Sequence, residues 1–294
     1  MITKMLTMRR IPLLLLASAF AYAAPAGAQT LLLHYNFDEA SSGNAPANDL
    51  GSGTPAPGAF VGSATRTSNT PGNFSTGALN LTASASASLG YVTAGDADKL
   101  DGLSHFTLST WLNLQGTNTS GNFRLLAKQS GGTFDSFSWN ISAPVSGTRS
   151  ASNFGLRLFV GGQTAFTFDA ATAPFSVNAD NKWIFLAVTY DGTSTSNNVS
   201  YFSGSAADNV SLLGTTTVNA GAVKATTAAF NVGHTDAALT SNTAPPGFMD
   251  DTRVYSGNLS LSQLNDVRVA AIPEPSAAVM LGLGSMLLAL RRRR

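Results

Sequence analysis

The chain has 294 residues, with 17 Lys and Arg, 16 Asp and Glu and no Cys, which leaves out a disulfide framework, a thiol nucleophile and any Cys-ligated zinc centre. Seven of the basic residues lie at the ends, so residues 29–271 hold ten basic residues against 15 of the 16 acidic ones. That mildly acidic middle lacks the basic footprint nucleic acid requires, and it favours cations as partners.

The first segment is a secretion signal by its pattern. Lys4, Arg9 and Arg10 precede an apolar stretch from Ile11 to Ala23, and Ala26-Gly27-Ala28 offers a small-x-small cleavage site. Thirteen residues at about 1.5 Å each fall short of a hydrocarbon core of about 30 Å, so the stretch reads as a cleaved signal peptide over residues 1–28 rather than an anchor. The mature chain is expected to begin at Gln29.

From there the pattern predicts strands. Apolar, β-branched and aromatic runs occur at Leu31–Phe37, Phe106–Leu114, Phe154–Val160, Ala165–Phe168 and Trp183–Tyr190, each bounded by Gly, Ser, Asn, Thr or Pro. Short strands at that spacing predict an all-β sandwich or barrel, and residues 29–271 are of a size that one sandwich reaches. A single helix is predicted late: Ser260 and Gln263 make a capping box, and Leu261, Leu264 and Val267 make an apolar stripe. It is expected to plug an edge or end of the sandwich.

The last 23 residues, 272–294, form a third segment. Pro273, Glu274 and Pro275 cannot continue a helix, because each proline lacks an N–H and restricts the residue before it. A 15-residue apolar run follows, closed by Arg291, Arg292, Arg293 and Arg294. Snorkelling arginines and a thinned or tilted bilayer allow so short a run to span, and the arginines mark the cytoplasmic side. The order of triplet, apolar helix and Arg cluster resembles the PEP-CTERM sorting signal. That resemblance implies an exosortase as partner in a Gram-negative bacterium that makes exopolysaccharide, with the domain passing through the inner membrane to the cell envelope or surface.

Three stretches carry a second resemblance: Leu32–Glu39 (LLHYNFDE), Lys182–Gly192 (KWIFLAVTYDG) and Gly247–Ser260 (GFMDDTRVYSGNLS). Together with Phe106–Leu114 they are similar to laminin G-like domains of the concanavalin A-like superfamily. The resemblance implies a jelly-roll sandwich of two antiparallel sheets over residues 29–271 whose concave side or rim loops bind ligands, with a carbohydrate or glycan as the expected ligand class. Thr252 departs from it, standing where relatives place an aliphatic residue.

Hydrolysis is weighed against this on its carboxylates. Glycosidases need two carboxyl groups facing across the bond, whereas the only glutamates are Glu39 and Glu274. Asp250 and Asp251 are successive strand residues and should point to opposite faces; Asp96 and Asp98 have alternate spacing but read as loop. His34, His105 and His234 form no metal or nucleophile motif and read as isolated. The chain is therefore expected to be a binder and not an enzyme, with a structural matrix or adhesion protein as the alternative and a glycoside hydrolase below both.

The laminin G-like resemblance further implies a Ca2+ site held by Asp38 and Asp250, with Asp251 in place of Asp250 if the register differs by one, because the terminal strands of that fold pair. Capped turns, or a pair with Arg253, are the alternative for these aspartates. For sugar contact, Trp111 and Trp183 read as core, while Trp139 alternates with polar residues and is the ligand candidate.

Overall fold

The computed structural model describes residues 29–39, 45–72, 75–82, 90–115, 123–129, 136–142, 144, 148–161, 168–172 (backbone only), 176–234 and 244–270. The signal segment, Pro273, Glu274, Pro275 and Arg291 to Arg294 lie outside these residues, as does most of the strand predicted at Ala165–Phe168. No helix among the described residues is long and apolar enough to cross a membrane.

The chain opens with β1 (Leu31–Tyr35), β2 (Ala59–Gly62), β3 (Thr65–Thr67), β4 (Ala78–Asn80), β5 (Gly90–Asp96), β6 (His105–Leu114), β7 (Phe123–Lys128) and β8 (Phe137–Ser142). It continues through β9 (Gly155–Gly161), β10 (Phe168–Thr172), β11 (Ile184–Asp191), β12 (Val199–Gly204), β13 (Ser211–Thr216), β14 (Ala229–Val232) and β15 (Gly247–Ser256) to α1 (Leu261–Ala270). All pairings between these strands are antiparallel, in two sheets. The first runs β13-β12-β11-β6-β15-β4-β3 with β1 also on β15, and the second runs β10-β9-β8-β7-β14-β5-β2. The expected all-β sandwich of two antiparallel sheets is thus observed, and its terminal strands pair, with His34 opposite Arg253 and Tyr35 opposite Thr252.

Period-two alternation explains the layers. On β6 and β11, Leu108, Leu112, Leu186 and Val188 face the other sheet and join one core with Phe137, Trp139, Leu158 and Phe230. The opposite faces carry Trp111, Phe185 and Ala187, which pack with Tyr255, Leu259, Leu264 and Val267 in a second cluster. Helix α1 therefore lies on the outer face of the first sheet, correcting the expectation that it plugs an edge. Its capping box forms as read: Ser260 N donates to Gln263 Oε1 at 2.8 Å and Gln263 N to Ser260 Oγ at 3.3 Å. Leu264 and Val267 are buried, but Leu261 is 46% exposed and leaves the predicted stripe.

Thr252 is fully buried at the centre of β15, and the departure from an aliphatic residue has a partner. Its hydroxyl lies 3.1 Å from that of Thr110 on β6, so the polar atom is not buried alone.

Candidate cation-binding site

One edge of β15 runs along β6, and two strands share the other. Strand β4 pairs with Phe248 and Met249, and β1 with Thr252 to Tyr255. Asp250 and Asp251 fall in the gap between these partners. There the register with β6 slips, and Asp251 takes a left-handed φ of 47°, the signature of a bulge. The bulge cancels strand alternation locally: Asp250 and Asp251 line one pocket, not opposite faces as the sequence led us to expect.

The chain leaving β1 and the chain entering β4 build the other wall. Phe37, with φ 56°, turns the backbone so that its ring enters the core beside Tyr35 and Phe60, while Asn36 and Asp38 on either side line the pocket. Asp38 Oδ1 then ties the two segments together. It accepts from Thr76 N at 2.6 Å, Gly77 N at 3.0 Å and Ser75 Oγ at 3.0 Å. Residue 77 must be glycine, because a Cβ there would overlap the Phe37 carbonyl. Asp38 thus caps a turn, as one of the alternatives held, and still joins Asp250 and Asp251 in a single pocket.

Hydrogen bonding leaves the three carboxylates unequal. Asp251 Oδ1 is well served: His34 Nε2 lies 2.6 Å away, and Arg253 donates from Nε at 3.0 Å and Nη2 at 2.8 Å. Asp250 Oδ1 accepts the Asp251 N–H at 2.7 Å. The second oxygen of each, Asp250 Oδ2 and Asp251 Oδ2, is buried and has no hydrogen-bond partner among the described residues. Burial, and then the neighbouring charges of Asp251 and Asp38, push the Asp250 carboxyl well above its ordinary range, against the lowering effect of the Ser75 hydroxyl and the Asp251 N–H.

Leaving two buried carboxylate oxygens unpaired is costly, and the cost disappears if a cation is what they face. With all three carboxyls ionised, one guanidinium leaves two negative charges, which a divalent ion balances. The pocket also receives Ala270, the last residue of α1, and with it the negative end of a ten-residue helix. Its volume of about 90 Å³ is well below the roughly 300 Å³ at which small-molecule sites begin. An oxygen-rich cavity of that size suits a hard cation with a few waters, and Asp250, Asp251, Asp38 and Asn36 are the residues that would hold it.

The other sequence candidates fall elsewhere. Trp139 is fully buried in the inter-sheet core, correcting its choice as a ligand contact. It shares the inner face with Phe137, and the polar neighbours Ser138 and Asn140 are buried too, bonded to each other at 2.7 Å. Trp183, read as core, is only half-buried and lies just before β11. Glu39 is bound by Arg66 at 2.9 Å and by the Asn48 N–H at 2.5 Å.

Two histidines are less isolated than expected. His34 belongs to the pocket. His105 sits between Ser104 Oγ, 2.9 Å from Nδ1, and Asp191 Oδ1, 3.0 Å from Nε2, beside a groove of about 530 Å³. The connectivity is that of a nucleophile relay, but the N–H groups flanking it are committed: Gly192 N donates to the Ser104 carbonyl and Gly257 N to that of His105. Neither is free to stabilise an oxyanion.

Asp96 and Asp98, with Asp101, form a second acidic cluster, but it already contains a cation. The fully buried Lys128 Nζ reaches Asp96 at 2.8 Å and Asp101 at 2.9 Å.

Fold and pocket together define a lectin-like sandwich whose terminal strands frame a carboxylate-lined cavity. The chain belongs to the concanavalin A-like lectin/glucanases superfamily, whose laminin G-like model matches residues 86–265. None of the curated proteins matches it. Among solved structures, domain 4 of the GH43 extracellular arabinanase AbnA from Geobacillus stearothermophilus, in complex with arabinotriose, is similar at TM-score 0.52 and 15% identity, covering 81% of this chain and 98% of that one. The binding domain of Paraclostridial Mosquitocidal Protein 1 reaches TM-score 0.53 at 12% identity over 81% of this chain. The binding domain of botulinum neurotoxin serotype D reaches 0.51 at 12% over 83%. The chain spans about half the length of each of these two toxin domains, 51% in both cases. At these identities the likeness is one of fold.

Proposed function

We propose that this chain is an exported, surface-sorted glycan-binding module with a structural Ca2+ in the pocket of Asp38, Asp250 and Asp251. The observation that carries the cation is the pair of buried oxygens, Asp250 Oδ2 and Asp251 Oδ2, which have no hydrogen-bond partner among the described residues and belong to two residues that line one small cavity. Bound there, Ca2+ neutralises the pocket and ties the exit of β1 and the approach to β4 onto the bulge of β15.

Membership of the lectin/glucanase superfamily supports glycan binding. Binding is favoured over hydrolysis because Glu39 is engaged with Arg66 and because the clustered aspartates enclose a space too small for a sugar ring. The segments 1–28 and 272–294 supply the export and sorting parts of the reading: a signal-peptide pattern, then Pro273-Glu274-Pro275, an apolar run and four arginines for an exosortase. The exopolysaccharide of the same cell surface is the natural ligand class for a module so delivered.

A glycan-array screen with calcium and with EDTA tests the core of the proposal. Binding to at least one polysaccharide is expected, weaker after chelation, and no reducing sugar should be released from it. No binding in either buffer would sink the glycan reading. Glu274→Ala should trap an uncleaved membrane form, and processing like the wild type would remove the sorting reading.

A further inference from the structure

Helix α1 covers only part of the outer face of the first sheet. Trp183 packs against the edge of the helix-covered cluster, and beyond it the face is left to a transverse row of uncharged side chains. The ladder fixes this row: Thr65 lies opposite Asn80, Asn80 opposite Phe248, and Phe248 opposite Asn113. Extending the register of Ile184 with Leu112 by one residue places Trp183 opposite Asn113. The Trp183 and Phe248 rings, both half-buried, have centroids 6.3 Å apart and planes tilted by 36°. Asn113, between them in register, is nearly shielded.

The row is also held in place. Trp183 Nε1 donates to Asn69 Oδ1 at 3.4 Å, Gln115 Nε2 donates to Asn113 Oδ1 at 2.7 Å, and Asn80 Oδ1 accepts from the Thr82 N–H and hydroxyl at 2.9 and 2.7 Å. In each asparagine the carbonyl oxygen is engaged, while the amide Nδ2 donates to no other described residue. Two aromatic rings edged by two such donors within reach of solvent, Asn69 and Asn80, match the chemistry of a sugar ring, whose apolar C–H face stacks and whose hydroxyls accept hydrogen bonds. The row holds no ionisable side chain, so the complementary ligand is uncharged.

We infer that Trp183 and Phe248, with Asn69 and Asn80, form the glycan-binding platform of this chain, and that its ligand is a neutral pyranose unit of a polysaccharide. The inference rests on the glycan-binding reading and adds to it the place and the charge class of the ligand. No platform residue lines the carboxylate pocket, although Phe248 stands two residues before Asp250 on β15.

Affinity electrophoresis of the full-length chain in gels containing dextran, laminarin, galactomannan or alginate tests it. Trp111 and Trp139 are fully buried, so protection of tryptophan fluorescence from acrylamide reports on Trp183. The wild type should be retarded by at least one neutral polymer, with protection on binding. Trp183→Ala and Phe248→Ala should each weaken retardation about tenfold, within the span measured for truncated aromatic anchors, and Trp183→Phe should retain most of it. Retention of alginate alone would overturn the charge assignment. If the wild type binds and Trp183→Ala and Trp183→Phe both bind equally well with unchanged melting temperature, the platform lies elsewhere while the glycan reading stands. If the wild type binds no polymer, both fall.

Discussion

The molecule carries two clusters of three aspartates, one on each sheet, and residue counts alone would rank them alike. On the second sheet, Asp96, Asp98 and Asp101 gather around the buried Lys128, and Asp96 and Asp98 reach solvent. On the first sheet, Asp250 and Asp251 are nearly inaccessible, and each keeps one oxygen without a hydrogen-bond partner among the described residues. Both clusters have three carboxylates and one lysine or arginine, and the first adds His34. What separates them is whether water and the chain's own donors already satisfy the oxygens, and it is this accounting, more than acidity, that marks a place for an external cation.

The strongest way to break the comparison is to remove the internal cation's partners. The double variant Asp96→Ala/Asp101→Ala leaves the Lys128 ammonium with only the Thr226 carbonyl. We expect a loss of about 3 kcal/mol in urea unfolding, at the low end for a stranded buried charge because both carboxylates are partly hydrated. The loss should be the same with calcium and with EDTA. A calcium response abolished by this variant would mean that the wrong cluster has been assigned.

Calcium itself should come next in size. At a free concentration one hundred times Kd, Ca2+ adds about 2.7 kcal/mol to the folded state, read as a rise in melting temperature reversed by EDTA. Asp250→Asn should remove the rise, because it takes one of the two free oxygens out of ionic coordination, whereas Asp98→Asn should leave it intact. No shift in the wild type would remove the site.

Much of the fold was readable from the chain, because the central strands are long apolar runs whose period dominates any local signal. The pocket was readable only in part. The approach of Asp38 to Asp250 came with the family resemblance and the pairing of terminal strands, but alternation predicted Asp250 and Asp251 on opposite faces. A bulge depends on which strands share an edge, and that is a long-range fact that two adjacent aspartates do not encode. Trp139 failed for a related reason: polar neighbours on a strand signal solvent only when their own face is bare, and Ser138 and Asn140 are buried although they alternate with the core residues. Trp183 erred the other way, since the end of α1's coverage cannot be seen in KWIFLAV.

Asp49 sharpens the contrast as a buried carboxylate that lacks nothing. Burial alone would raise its pKa, but Lys99 and the N–H groups of Gly51, Ala56 and His34 hold it below the ordinary carboxylate range. A carboxyl depressed in the folded state stabilises above its unfolded pKa and loses that contribution as pH falls through the folded value. Asp49→Asn should therefore cost about 2 kcal/mol at pH 6, the scale of hydrogen bonds to a charged group. The difference from wild type should shrink below about pH 4, and melting curves at pH 6 and pH 3 give the comparison directly. A gap that widened in acid would show that the charge on Asp49 is not what its donors stabilise.

The smallest effect tests whether the pocket depends on the helix that ends beside it. Ser260→Ala removes the side-chain half of the cap at the start of α1 and should cost about 1 kcal/mol. Fraying is confined to the first turn, where Leu261 is already exposed, while Leu264 and Val267 keep the helix on Trp111 and Phe185. Ala270, at the other end, then stays at the pocket, and the calcium-induced rise in melting temperature should equal that of the wild type. If capping and calcium response fell together, the cation would be reading the whole helix and not only its last turn.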